Sequence, residues 1–269
     1  SFEKPNHFKE KIIASKIEGD NKGYSYNTAL SSNYSFYNNV VKIGTNLISP
    51  IANNAFNYYK YQLEGSFFDE NNHQINKIKV TPKRDKDPVF EGYIYIVDDS
   101  WAIYAIDLTI KGYRMNNEFT EFFQLKQNFD YNSINKIWAK SNQSITLVAG
   151  AFGIQFTANF NHVFSNYNFL DSFDKNTFTN EILSIETTAN KKENQFWNTI
   201  RPIPLTTEEV LDYSKKDSIE TVRESKKYLD SIDAKGNKLG IVTNAKGGQS
   251  IHNYGLAFDI ILLEDGVAS

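Results

Sequence analysis

The sequence contains no cysteine, which excludes disulfides, thiolate metal ligands and a cysteine nucleophile while leaving the redox compartment open. No apolar run approaches the roughly 18 residues that a membrane helix needs. The most apolar stretch, Ile145 to Ile154, is about half as long. There is no excess of positive charge either. Lys and Arg number 29 against 32 Asp and Glu, a net charge of −3, and nucleic-acid binding is not expected without a basic face. No internal repeat or low-complexity tract stands out. Residue 1 is Ser and no charged-then-apolar leader follows it, so the chain reads as an excised piece of something longer. A missing signal peptide in such a piece says nothing about export.

What remains is the palette of a globular protein. At 269 residues the chain suffices for one large or two smaller domains with a substantial core. Its 40% hydrophobic and 23% charged fractions are those of ordinary folded proteins. Aromatic residues make up 14%, with 20 Phe and 16 Tyr, which leans towards β-structure.

The clearest pattern runs from Asn76 to Gly112. Ile78 and Val80 alternate with Lys77 and Lys79. Ile94 and Ile96 alternate with Tyr93 and Tyr95, and Tyr104, Ile106, Leu108 and Ile110 alternate with Ile103, Asp107 and Thr109. Separated by turn signals at Asp87-Pro88 and Asp98-Asp99-Ser100, these predict three consecutive antiparallel strands. Upstream, residues 9–20 allow a short strand, Phe36 to Ile43 predicts a helical turn capped by Gly44, and Pro50 opens a helix over Ile51 to Tyr59. Strands are expected at Tyr61 to Phe68, Glu118 to Phe129 and Glu181 to Thr187. Between Phe152 and Phe164, Phe152, Ile154, Phe156, Ala158 and Phe160 share one face. Such alternation suits a membrane-barrel strand or any half-buried strand, and one strand cannot close a barrel, so the half-buried reading is preferred.

After Pro202 and Pro204 the character changes. Thr206 with Glu209 forms a capping box, and apolar residues at helical spacing predict a long charged helix, or two abutting ones, from Thr207 to about Ser231. The expected fold class is α+β, mainly β: a curved antiparallel sheet, a long C-terminal-side helix and a short extra strand at Leu256 to Leu263. The expected divisions are residues 1–205, a β-rich module; 206–238, a charged helical segment; and 239–269, a separate fragment.

Three phrases are distinctive together: NLISPIANNAFNYYKYQLEG, NKIKVTPKRDKDPVFEGYIYIVDDSWAIYAIDL and WNTIRPIPLTTEEVLDYSKKDSIETVRESKKYLDSID. They resemble a Bacteroidetes family of large outer-membrane proteins of unknown function, in which a carboxypeptidase-regulatory-like domain precedes such a region and a membrane β-barrel follows it. The resemblance covers about residues 1 to 238 and implies a cell-envelope location, a binding or structural role, and an outer-membrane barrel or other envelope components as partners. In style the pattern is also similar to curved sheets of the lipoprotein-carrier type, an architectural analogy.

The last thirty residues differ. VTNAKGGQSIHNYGLAFDI resembles the signature of VanY-type zinc peptidases, the D-Ala-D-Ala carboxypeptidases and L-Ala-D-Glu endopeptidases that cut peptidoglycan stem peptides. The motif stands here as Ser250, His252, Gly255, Ala257 and Asp259. The resemblance makes His252 and Asp259 zinc ligands, with peptidoglycan peptide as substrate. A catalytic zinc takes three protein ligands plus a water, and a carboxylate base accepts that water's proton. The family's third ligand, a downstream histidine, and its base have no counterpart here, since only Glu264 and Asp265 follow the motif. As it stands the catalytic set is incomplete, and a metallopeptidase is expected only where the motif is completed downstream. The join near Leu239-Gly240 reads as a natural fusion or an assembly artefact.

Other candidates have structural explanations. His73 falls in a polar turn and reads as a solvated loop residue. His162 continues the apolar face of its strand and reads as core or rim. Asp98 and Asp99 read as turn chemistry, with calcium as the alternative. His7 lies in the unrelated upstream region, and Ser250 has no nucleophile's triad.

Overall fold

The alternation that dominates the middle of the sequence folds into a meander. The computed structural model describes residues 9–15, 28–151, 154–174, 177–178, 181–201, 207 and 210–211. In chain order the elements are β1 (Glu10–Ile12), α1 (Ala29–Ser32), β2 (Val40–Ile43), β3 (Thr45–Ile48), β4 (Tyr59–Phe68), β5 (Gln74–Pro82), β6 (Glu91–Val97), β7 (Ile103–Lys111), β8 (Thr120–Asn132), β9 (Ile137–Ala151), β10 (Ile154–Val163), β11 (Leu183–Ile185) and α2 (Asn194–Ile200). Strands β4 to β10 form one seven-stranded sheet in sequence order, every neighbouring pair antiparallel. Its edges are β4 and β10, which do not pair with each other, so the sheet is open rather than a closed barrel.

Two adjacent cross-strand rows show why this sequence makes an amphipathic sheet. One runs Tyr61, Val80, Gly92, Leu108, Leu125, Ile145, Phe160 through all seven strands. The next runs Gln62, Lys79, Tyr93, Asp107, Lys126, Ser144, Asn161. Period-two geometry sends the first row to one face and the second to the other. Val80, Leu108, Leu125, Ile145 and Phe160 are buried accordingly. Gly92 sits in the apolar row at φ +135°, with the backbone carbonyl of Asp107 where a Cβ would lie.

The apolar face is covered by the chain that precedes the sheet. Tyr34 packs edge-on against Phe123 and Phe36 against Phe90, while Val41, Ile43 and Leu47 join the same core. The buried Tyr59 hydroxyl donates to the Ile48 carbonyl at 2.6 Å and accepts from the Phe90 amide at 3.0 Å, tying the β2–β3 hairpin to the sheet.

One row of the apolar face is polar for a reason. Ile106, Gln127, Gln143 and His162 are successive cross-strand neighbours. Gln143 donates from Nε2 to the Ser32 carbonyl at 2.7 Å, and Gln127 Nε2 donates to the Tyr34 carbonyl and to Gln143 Oε1. Irregular backbone laid over a buried sheet face carries carbonyls that must be paired, and these amides pair them. His162 is the rim residue its alternation implied. Burial, and then the charge of Lys140, push its pKa down to about 4.

A smaller unit joins the two ends of the described chain. β1 pairs in parallel with β11, and the buried Glu10 carboxylate accepts the Ala29 amide at the start of α1. Trp197 of α2 is buried.

The structure corrects several expectations. Phe36 to Ile43 is not a helical turn: β2 and β3 form a hairpin, and Gly44, at φ +67°, makes its turn rather than a helix cap. Ile51 to Tyr59 is not a helix. It is a turn and a short 3-10 stretch, Ala55–Asn57, and Tyr59 already begins β4. The longest strand, β9, was not expected at all. The three strands of 76–112, the strands expected at 61–68, 118–129 and 181–187, and the half-buried strand β10 are present. The helix expected over 207–231 and the strand at 256–263 lie outside the described residues, apart from Thr207, Val210 and Leu211. No helix of the described residues is long and apolar enough to cross a membrane.

Candidate functional site

Strict alternation would leave the polar face of the sheet an even carpet of Lys, Asp, Ser and Asn. Four register shifts interrupt the sheet, after Leu63, Tyr95, Thr120 and Asn128, and two of them bear on one region. Between β6 and β7 the register passes from Tyr95–Ala105 to Ile96–Ile103, which leaves Tyr104 as the extra residue. Between β8 and β9 it passes from Asn128–Asn142 to Phe129–Lys140, leaving Ser141 extra. A bulge places a side chain where regular pleating does not, and bulges recur beside functional sites.

Both extra residues line the same cleft. It has a volume of about 490 Å3 and is bounded by Tyr104, Asn128, Phe129, Asp130, Ser141, Asn142, Val163 and Phe164. Within it, Asn128 Nδ2 donates to Asn142 Oδ1 at 2.9 Å. The Phe164 amide donates to the Ser141 carbonyl at 2.9 Å, which holds the far wall, after the end of β10, against β9. Lys140 lies behind it, with Nζ 5.3 Å from the Phe164 ring centroid and donating to Asn33 Oδ1 and the Tyr34 carbonyl.

From Tyr104 an array of rings leads away from the cleft. Phe67 is 5.9 Å from Tyr104 and 6.4 Å from Tyr95; on the other side Trp138 is 5.6 Å from Tyr104. Trp138 meets Tyr131 at 5.3 Å, and the His73 ring lies 4.7 Å from Tyr131 and 5.2 Å from Trp138. The contacts are edge-on or tilted, as ring quadrupoles prefer. His73 belongs to the β4–β5 turn, and Tyr131 and Trp138 to the β8–β9 hairpin. Three strand spacings of about 4.8 Å would otherwise separate β5 from β8, so the two hairpin ends lean together across β6 and β7.

His73 is therefore less solvated than a loop histidine was expected to be. Its Nδ1 bonds Asp69 Oδ2 at 2.9 Å, while Asp69 Oδ1 accepts the amides of Asn71 and His73. Burial alone would raise the Asp69 carboxyl, but the His73 ring and amide and the Asn71 amide outweigh it and hold it below the usual carboxylate range. At the cleft the shift is opposite: burial, then the charges of Asp69, Asp130 and Glu70, raise the Tyr104 hydroxyl. It stays protonated at neutral pH, a donor and acceptor.

Asp98 Oδ1 accepts from Asn76 Nδ2 at 2.7 Å, a bond across to β5 and not the bond within its own turn that was expected. Among the described residues no His, Asp and Glu side chains group in threes to hold a metal. His7, Ser250, His252, Gly255, Ala257 and Asp259 lie outside the described residues. Sequence reasoning missed Ser141, Asn142 and Phe164 as site residues, because β9 was not recognised and the bulge that aims Ser141 depends on its pairing.

Residues 1–167 match a family described as "Family of unknown function (DUF5686)". The chain belongs to that family. No curated protein and no solved structure matches it. The matched segment contains the whole seven-stranded sheet, both bulges and every residue of the cleft, whereas β11 and α2 follow it.

Proposed function

We propose that the chain is a binding module of the cell envelope whose ligand-contacting surface is the two-bulge cleft. The observation that carries the reading is that the bulge residues of two different strand pairs, Tyr104 and Ser141, converge on one concavity. Concave sites that mix aromatic walls with a few convergent polar groups are the usual form of small-molecule sites. The envelope location rests on the likeness of residues 1 to 238 to the outer-membrane family. The test is amide NMR of the 15N-labelled chain against a chemically mixed fragment library. Shifts clustered at Tyr104, Ser141, Asn142 and Phe164 are expected; a library that moves none of them sinks the reading.

A second reading, favoured by the five-position match at Ser250, His252, Gly255, Ala257 and Asp259, assigns residues 239–269 to a zinc-dependent peptidoglycan peptidase. His252 and Asp259 would supply two of the three protein ligands. Zinc calorimetry on the full chain decides it. Tight, near-stoichiometric uptake that His252→Ala abolishes supports the assignment, and no uptake rejects it.

A further inference from the structure

The chemistry of the cleft specifies more than that it binds something. We infer that its ligand is a neutral saccharide, an inference that rests on the binding reading above and names the ligand class for the same site.

The polar groups come as a pair. Asn128 gives one amide proton to Asn142 Oδ1, which leaves an acceptor on Asn128 Oδ1 and a donor on Asn142 Nδ2; no described side chain bonds either. A vicinal diol, whose hydroxyls each donate and accept, is the complement of such a pair. The Asp130 carboxylate is exposed and has no described hydrogen-bond partner, and the Tyr104 hydroxyl is kept protonated, so each can bond a further hydroxyl. Sugar-sized ligands also carry apolar C–H faces, which pack against aromatic rings whose faces are negative. Tyr104 and Phe164, both partly exposed, supply those rings on opposite walls of the cleft.

Charge disfavours an anionic ligand, since the Asp130 carboxylate lies in the cleft and the charges of Asp69 and Glu70 reach Tyr104, and the cationic probes below separate a neutral ligand from a cation. Lys140 stands behind Phe164. Asp69 is committed to His73. The lining therefore offers mostly uncharged groups: two carboxamides, a phenol, and the Ser141 hydroxyl as an acceptor, its proton going to the Asn128 carbonyl at 3.2 Å. Tyr104 is held in place by Phe67 and Trp138, a rigid ring that loses little freedom on binding.

The experiment is amide NMR titration of the full chain with linear hexasaccharides built on glucose, mannose, galactose and N-acetylglucosamine, with tetramethylammonium and a lysine-containing tripeptide as ionic probes. At least one hexasaccharide is expected to move the Ser141 and Asn142 amides saturably. Asn142→Ala is then expected to weaken that binding about tenfold, the worth of one lost hydrogen bond. Tyr104→Phe, which keeps the ring and its packing, is expected to weaken it less than Tyr104→Ala. Trp101→Ala, on the exposed β6–β7 turn, is expected to leave it unchanged, and an unaltered amide spectrum elsewhere certifies the fold of each variant. If the saccharides are silent while fragments or ionic probes move the same amides, the saccharide assignment falls and the binding reading stands. If nothing moves them, both fall.

Discussion

The guanidinium of Arg114 donates to the carboxylate of Glu91 at 2.9 Å from a side chain that is almost wholly buried. The same group bonds the carbonyl and Oδ1 of Asp85, whose Oδ1 also accepts from the Tyr113 hydroxyl. One arginine thus fixes the β5–β6 loop and the 3-10 turn Gly112–Met115 to each other. Removing it leaves Glu91 without its main partner and several polar groups unsatisfied. Arg114→Met is expected to cost about 3 kcal/mol, discounted from a fully buried pair because the carboxylates reach solvent. Urea unfolding of the variant measures it, and a change near zero would refute this role.

The same network predicts an acid dependence. Bonds from Tyr113 and then Arg114 hold the Asp85 carboxyl below its ordinary value. A depressed carboxyl contributes stability that is present above its unfolded pKa and is lost as pH falls through the folded one. Arg114→Met is expected to shallow the loss of stability below about pH 4, near the ordinary aspartate value, in unfolding midpoints taken against pH.

His162 acts in a higher window. With its native pKa near 4 and an unfolded value of about 6.5, the unfolded chain binds a proton that the native chain refuses. Stability from this source is full above about 6.5 and drains away as pH falls towards 4. Between pH 7.5 and 5 it is worth roughly 2 kcal/mol. His162→Gln is expected to flatten the pH slope over that range, and an unchanged slope would contradict the assignment.

Gln143 clasps the covering segment to the sheet. Gln143→Leu removes one of the two protein donors to the Ser32 carbonyl, which keeps the Tyr34 amide, and the acceptor of one Gln127 Nε2 bond. The expected loss is about 2–3 kcal/mol, with faster amide hydrogen exchange across residues 29–36.

Gly92 is irreplaceable on geometric grounds. A Cβ there would lie 2.3 Å from the Asp107 carbonyl oxygen, at a φ that side chains rarely adopt. Gly92→Ala is expected to cost about 2–4 kcal/mol, read as a lower urea midpoint.

Most of the sheet was legible because its strands alternate. Tyr93 to Ile96 and Ile106 to Ile110 announce both their period and their inward face. The first segment was less legible. Gly44 after an apolar run serves a helix cap or a hairpin turn equally well, and pairing of Val41 with Leu47 decided for the hairpin. Ile51 to Tyr59 has helical spacing, but Tyr59 is claimed by the sheet through Ile48 and Phe90, and tertiary bonds override local preference. β9 hid because its apolar half, Ile145 to Val148, and its polar half, Lys140 to Ser144, look like different elements. The cleft was least legible: it exists because of register shifts, which belong to pairs of strands and leave no mark on either alone.

The pairing of β1 with β11 bears on how the chain reaches its native state. The meander grows by hairpins between sequence neighbours, each closing a short loop, whereas the parallel pair joins opposite ends of the described chain. Loop-closure entropy rises with the length enclosed, so contacts between distant segments form after local ones have shortened the path. The β1–β11 contact is thus expected late in folding, a seam sewn once the sheet exists. A chain ending at Tyr167 would lack the strand that β1 pairs with.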